Sequence, residues 1–309
     1  MDNRKKIVCI GIMVLDILIS GVDEGILERD NTEVDNIEYL TGGDALNESI
    51  IVSALGHDSI LMGTVGTDIW GDFILKHLKS RGVDTSSVCV MPELSTVVST
   101  VLIHKNGERN FLVRKENCAT FDEKCLNYDV IESSDAVSIG SIFYDEALDS
   151  NLDRILSFAR KNKALTFGDL TFRKGYTLEK AKGYLPLFDY LVPNLNEAKG
   201  LTGETELESI AGKILDYGVK NVVIKLGEKG CYIQNATDKI MVPAFKTDNA
   251  VDTTGAGDSF LAGLITGTLE GLDIESAAVF ANAAASVNVQ GVGATFLKDR
   301  AQVDYVLGA

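Results

Sequence analysis

The chain has 309 residues, 45% of them apolar and 24% charged, with only four prolines, the make-up of a globular protein long enough for a sizeable core. Its formal net charge of −16 argues against nucleic acid and anionic membranes as partners, since both need a basic face, although a local site can still hold a small anion. Five cysteines (Cys9, Cys89, Cys118, Cys125 and Cys231) form an odd set without a C-x-x-C pair. They are read as reduced thiols of a cytoplasmic protein, not as disulfides or a zinc site.

Arg4-Lys5-Lys6 and the apolar run behind them superficially resemble a signal peptide, but Asp16 breaks the run and no small-x-small cleavage pattern follows. The run is also too short for a membrane span, so Ile7–Ile12 is predicted as a buried first strand. From Gly42 to Leu55 a glycine turn leads into a helix; a strand at Ile60–Val65 and a helix at Phe73–Lys79 follow. Strands are then predicted at Ala136–Ile139, Ala164–Phe167, Tyr190–Val192 and Val222–Leu226. The helices between them are Leu148–Arg160, Leu178–Tyr184, Glu197–Leu201 and Leu207–Tyr217. Short β-prone runs feeding amphipathic helices predict βαβ units and a mostly parallel sheet covered on both faces.

Two stretches break this rhythm. Asn106-Gly107 between β-prone runs is a hairpin signal, and Leu18 to Leu40 lacks helical periodicity. Together they predict a small antiparallel sheet acting as a lid over a ligand site at the strand ends. Near the C-terminus Gly263, Gly267 and Gly271 share one helical face and residues 277–285 are alanine-rich, a pattern explained by close helix packing.

Residues 252–260, D-T-T-G-A-G-D-S-F, open a helical pattern with two glycines where alanine is preferred by up to about 1 kcal/mol. The first N–H groups of a helix lack internal partners and carry partial positive charge, so Gly255-Ala256-Gly257 is suited to receive an anion. Asp258 beside it is suited to take a proton, the pair of functions that phosphoryl transfer to an alcohol requires. A cap by Thr253 or Thr254 alone would leave the glycines unexplained. Neither a Walker A loop nor a G-x-G-x-x-G after a strand occurs, which excludes the usual phosphate loops of P-loop enzymes, protein kinases and Rossmann dehydrogenases.

The stretch from Asp252 to Gly263 resembles the C-terminal signature of the PfkB, or ribokinase-like, carbohydrate kinases. G42-G-D-A-L-N47 resembles that family's first signature, N194-L-N-E197 its N-x-x-E motif and K225-L-G-E-K-G230 its strand-end nucleotide motif, in the same order over essentially the whole chain. The resemblance implies an α/β, ribokinase-like three-layer sandwich. Its mostly parallel central sheet would carry helices on both faces, in one kinase domain over residues 1–309. The β-sheet lid would come from about residues 13–40 and 95–115. It implies ATP-dependent phosphorylation of an exocyclic primary hydroxyl on a small sugar. A nucleoside kinase, a sugar-acid kinase of the 2-keto-3-deoxygluconate type and a sugar-phosphate kinase are alternatives on the same fold, and a non-catalytic sugar-binding protein an alternative of another class.

Carried over by position, Asp258 is the base and Gly255, Ala256 and Gly257 the anion hole. Asp16, Gly42, Gly43 and Asn47 bind the sugar, with Arg109, Arg114 and Arg173 as further candidates. Asn194 and Glu197 organise Mg²⁺, though N-x-x-E also reads as a capping box. Lys225, Gly227, Gly230 and Asn282 bind ATP. Asp252 and carbonyls around residues 288–294 correspond to a monovalent-cation site of the K⁺ type, and a homodimer through the lid is implied. Two departures stand out. Lys225 replaces the threonine of many members, as in kinases of acidic sugars, and Thr171 replaces the asparagine of a D-x-N-x-R stretch.

Overall fold

Ile7, Val8, Cys9 and Ile10 are all fully buried, yet Ile7 and Cys9 belong to one hydrophobic cluster while Val8 and Ile10 belong to another. A strand whose alternate side chains enter two different cores lies in the middle layer of a sandwich. The computed structural model describes residues 4–308 apart from 107, 115, 116, 119, 172, 174 and 248. Gly107, the turn residue of the predicted hairpin, therefore lies outside the described residues.

In chain order the strands are β1 Lys6–Ile10, β2 Val14–Val22, β3 Asn36–Gly42, β4 Asp58–Gly66, β5 Val88–Met91, β6 Val97–His104, β7 Arg109–Val113, β8 Ala136–Ile142, β9 Leu165–Leu170, β10 Tyr190–Leu191, β11 Asn221–Lys225, β12 Cys231–Gln234 and β13 Lys239–Val242. Nine make one sheet in the order β13-β12-β11-β10-β9-β8-β1-β4-β5, parallel except for the antiparallel pairs β11–β12 and β12–β13. Helices Asp44–Ala54, Ala256–Leu269 and Ile274–Asn288 cover one face; Leu152–Lys161, Leu195–Thr202 and Leu207–Leu215 cover the other. Among the described residues no helix is long and apolar enough to cross a membrane.

The remaining strands form a second sheet, β3-β2-β6-β7, at the positions predicted for the lid. Its pairs β2–β3 and β6–β7 are antiparallel, but β2 and β6 run parallel, so the sheet is mixed and not wholly antiparallel. Register puts Asp16, Leu40, Ser99 and Val113 on one face, and four residues along each strand Arg109 reaches that same face beside Ser20 and Ile103. On the other face Tyr39 stacks on Trp70 at 5.5 Å between ring centroids.

Several expectations are corrected. The helix predicted over Leu148–Arg160 is two helices, Glu146–Asp149 and Leu152–Lys161; between them the Asn151 amide bonds back to the Ala147 carbonyl at 2.8 Å, a side chain competing with the helical ladder. Leu178–Tyr184 is helical only over Leu178–Ala181, and a short 3₁₀ turn Leu185–Leu187 containing Pro186 follows. Strands β5, β12 and β13, four residues each, escaped the periodicity. Finally, Cys89 and Cys125 form a disulfide, leaving Cys9, Cys118 and Cys231 as buried thiols. An odd count accommodates one pair, and the fold brings together two sulfurs 36 residues apart.

Candidate active site

The chain leaves β1 toward β4 on one side and returns to β8 on the other, so the sheet order reverses between β1 and β8. A crevice at the carboxyl ends of strands forms at such a reversal. Helix Asp44–Ala54 begins there. A Cβ at Gly140 in β8 would lie 2.4 Å from the Ala45 nitrogen, so glycine is what lets this helix start directly on the sheet. Immediately beyond, Ser141 (φ 61°) and Phe143 (φ 75°) hold left-handed conformations that cost about 1–3 kcal/mol each in non-glycine residues. Ser141 thereby points its hydroxyl to the Asp44 carboxylate, at 2.6 Å.

The second helix start is that of Ala256–Leu269, whose cap is Gly255 in the left-handed region at φ 72°. A Cβ on Gly255 would lie 2.1 Å from the Ala294 carbonyl oxygen. No threonine caps this helix: it has no side-chain cap, and the Thr254 hydroxyl instead donates to Asp252 at 2.7 Å. The N–H groups that a cap would occupy have no side-chain partner, the condition in which a helix start can receive an anion.

The two helix starts meet where Asn47 Nδ2 donates to Asp258 Oδ2 at 2.7 Å, across 211 residues of sequence. The other amide atom, Asn47 Oδ1, is buried with no partner among the described residues. Asp258 is 8% exposed. Around it stand Asp44, Glu48 and Asp169, and the Lys225 ammonium bonds Asp169 Oδ2 at 2.6 Å. Burial, followed by the charges of Asp44 and Asp169, pushes the Asp258 carboxyl well above the usual range, while Asn47 and Lys225 pull it back. Burial and Asp169 also raise Asp44, Glu48 and Glu197, the last to about 7. The Lys225 ammonium is opposed by burial, but Asp169 and Glu197 outweigh this and hold it protonated. Sequence reasoning missed Asp44, Glu48 and Asp169. The signal available was Lys225 itself, since a lysine at the end of a central strand requires a buried counter-charge.

A cleft of about 650 Å³ lies beside the Gly255–Gly257 turn, lined by Lys225, Gly227, Gly230, Phe260 and Asn282 together with Thr253, Ala256 and Gly257. All four residues assigned to ATP by resemblance thus border one cavity with two members of the anion hole. Asn282 is held by donating to the Val242 and Pro243 carbonyls, at 3.4 and 3.2 Å. Asn194 and Glu197 form the capping box of helix Leu195–Thr202, so the bland reading of N-x-x-E describes their geometry here. Among the described residues no three acidic, histidine or cysteine side chains are arranged to hold a metal alone. Mg²⁺ instead takes one or two carboxylates together with substrate phosphates and water, a donor set that Glu197 beside the Lys225–Asp169 pair fits.

At the end of β3, Gly42 leaves room for Asp16: a Cβ there would meet Asp16 Oδ2 at 2.1 Å. Burial raises the Asp16 carboxyl to about 6, against a hydrogen bond from Ser99 that lowers it. Folding therefore favours its protonated form, and the stability this contributes at about pH 4 is lost as the pH rises through about 6. Asp16→Asn is expected to exceed the parent in stability by roughly 2 kcal/mol at about pH 8 and by almost nothing at about pH 4. Urea midpoints at the two pH values measure this; equal differences at both would contradict it.

The Arg109 guanidinium bonds Thr254 Oγ1 at 2.8 Å and Asp252 Oδ1 at 3.2 Å. Asp252 is thus an ion-pair partner whose two oxygens also accept from Thr254 and the Gly293 N–H. Arg114 bonds Ser95 at 3.1 Å, and Arg173 is exposed with one bond to the Tyr144 carbonyl, at 3.3 Å.

Residues 4–300 match the family described as pfkB family carbohydrate kinase. A ribokinase of Staphylococcus aureus (strain COL) is 29% identical over 262 residues, covering 82% of this chain and 83% of that protein. A 2-dehydro-3-deoxygluconokinase of Bacillus subtilis (strain 168) is 29% identical over 273 residues, covering 84% of each. The solved structure of Arabidopsis thaliana ribokinase complexed with ribose and ATP superposes with a TM-score of 0.85 at 24% identity, covering 99% of both chains. With its matching fold and a match that spans nearly all its length, the chain belongs to the pfkB family of carbohydrate kinases and is an ATP-dependent sugar kinase.

Proposed function

We propose that this kinase phosphorylates an exocyclic primary hydroxyl of a small neutral sugar, with Asp258 as the base. The observation that carries the reading is the position of Asp258. It is a buried carboxyl of raised proton affinity in the first turn of the helix whose uncapped N–H groups border the cleft. ATP lies in that cleft, its γ-phosphate against Gly255, Ala256 and Gly257 and beside Lys225. The sugar lies between Asp16, Gly42, Gly43 and Asn47, where the orphaned Asn47 Oδ1 accepts from one hydroxyl. Asp258 takes the proton of the attacking hydroxyl as the oxygen approaches phosphorus in line, and the N–H nest and Lys225 stabilise the charge on the transferring group. Glu197 would help hold Mg²⁺, which would supply neutralisation of phosphate charge.

The neutral character of the sugar follows from charge. In this reading Asp16, Asp44 and Asp258 line the sugar side, Arg109 and Arg114 are engaged by other partners, and Arg173, near Asp16 at Tyr144, bonds the Tyr144 carbonyl. A carboxylate or phosphate on the sugar would meet acids there. ADP release should be measured against ribose, fructose, adenosine, 2-keto-3-deoxygluconate and fructose 6-phosphate. The highest kcat/KM is expected for ribose or fructose. A clear preference for the sugar acid or the sugar phosphate would overturn the neutral assignment, and a preference for adenosine would replace it by a nucleoside.

A further inference from the structure

Arg109 opens β7 on the face of the small sheet that carries Asp16 and Ser99, but its guanidinium leaves that sheet altogether. It bonds Asp252 and Thr254, 143 and 145 residues away, in the segment immediately before the Gly255 cap. Asp252 joins three parts of the molecule. Its Oδ1 accepts from the Thr254 N–H (3.0 Å), the Thr254 hydroxyl (2.7 Å) and Arg109 (3.2 Å), and its Oδ2 accepts from the Gly293 N–H (3.0 Å). The loop beginning at Gly293 continues to Ala294, whose carbonyl closes on Gly255 and accepts from Asn288 at 3.1 Å. The nest is therefore shaped by a clamp centred on Asp252, and the small sheet holds one jaw of it.

The same carboxylate is the one that resemblance assigns to a monovalent cation. Here that ligand does not fit: the carboxylate accepts four donors, one of them a guanidinium, and the Val289 carbonyl nearby is also taken, by the N–H groups of Val251 and Asp252. We propose that Arg109 is a positioning residue, a latch that ties the small sheet to the loop shaping the nest and supplies at Asp252 the positive charge that a free cation supplies elsewhere. Lowering of the sheet over the sugar and completion of the nest are then one event. The proposal rests on the kinase reading only for its effect on turnover; the latch itself is testable without any substrate.

Hydrogen exchange on the full ligand-free chain tests it, read in peptides covering residues 97–113 and 250–257. Arg109→Ala and Asp252→Asn are each expected to speed exchange in both segments by about fivefold, the scale of a partly exposed ion pair, and the double variant to add nothing further. Millimolar guanidinium, far below denaturing concentrations, is expected to slow exchange in Arg109→Ala but not in Asp252→Asn. Arg109→Lys, which keeps the charge, is expected to fall between parent and alanine. In the parent, replacing tetramethylammonium by potassium should leave residues 250–257 unchanged. In turnover, Arg109→Ala should lower kcat and leave the KM for ATP unchanged. Faster exchange confined to residues 97–113, protection of residues 250–257 by potassium in the parent, or a rise in sugar KM with kcat intact would each overturn the latch. A parent chain with the predicted exchange but no turnover on any tested sugar would instead count against the substrate reading alone.

Discussion

Asp258→Asn is expected to lower kcat by about 10³-fold while ATP affinity stays within about twofold. The asparagine keeps the shape of the side chain and still meets Asn47, so the junction between the two helix starts survives. What disappears is the group that takes the proton. The neighbouring carboxyls do not replace it: Asp44 is held by Ser141 and Thr171, and Glu48 faces Ser138. ATP affinity is expected to be preserved because the cleft proposed for the nucleotide is lined by Ala256, Gly257 and Lys225 and not by Asp258. Kinetics of ADP release together with calorimetric titration of ATP separate the two quantities. Turnover within about tenfold of the parent would remove Asp258 from the role of base.

Lys225→Met is expected to have the largest effect on stability. The ammonium is the partner of Asp169 in a region that also holds Asp44, Glu48, Glu197 and Asp258. Removing one member of a buried pair leaves an uncompensated charge and costs about 3–5 kcal/mol. The loss should grow with pH. Carboxyls whose folded proton affinity is raised contribute stability in the acid range and lose it as the pH rises, and without Lys225 their mutual repulsion has less to oppose it. Urea midpoints at about pH 5 and about pH 8 are the measurement, and an equal loss at both would contradict the account. The double variant Lys225→Met with Asp169→Leu is expected to regain much of the loss, because an apolar pair of similar volume leaves no charge unmatched.

The parts of this architecture that were legible in the sequence are those governed by local periodicity and backbone chemistry. Short β-prone runs located β1, β4, β8, β9, β10 and β11, and the two glycines before Asp258 identified a helix start without a side-chain cap. Four-residue strands carry too few residues to show a period. The acids around Lys225 were illegible for another reason: a carboxylate in a sequence reads as solvated surface, and only the fold brings Ser138 and Ser141 to Glu48 and Asp44 across 90 and 97 residues. Arg109 was singled out as a residue of the small sheet, but its partner was not, because an ion pair between segments 143 residues apart leaves no local pattern.

The pairing of β2 with β6 sets the order in which the two halves of the site become available. Each flanking hairpin, β2–β3 and β6–β7, is local, but their junction spans the whole of helix Asp44–Ala54, β4, helix Ile69–Ser80 and β5. The closure entropy of that intervening chain falls only once those elements have packed on the main sheet. The surface proposed for the sugar is therefore dependent on a finished body beneath it, whereas the cleft proposed for the nucleotide, between β11, the segment after β13 and helices Ala256–Leu269 and Ile274–Asn288, is built from a continuous stretch of chain. Damage that keeps β2 from pairing with β6 is therefore expected to fall first on the surface proposed for the sugar, and to reach the nest through the Arg109–Asp252 contact.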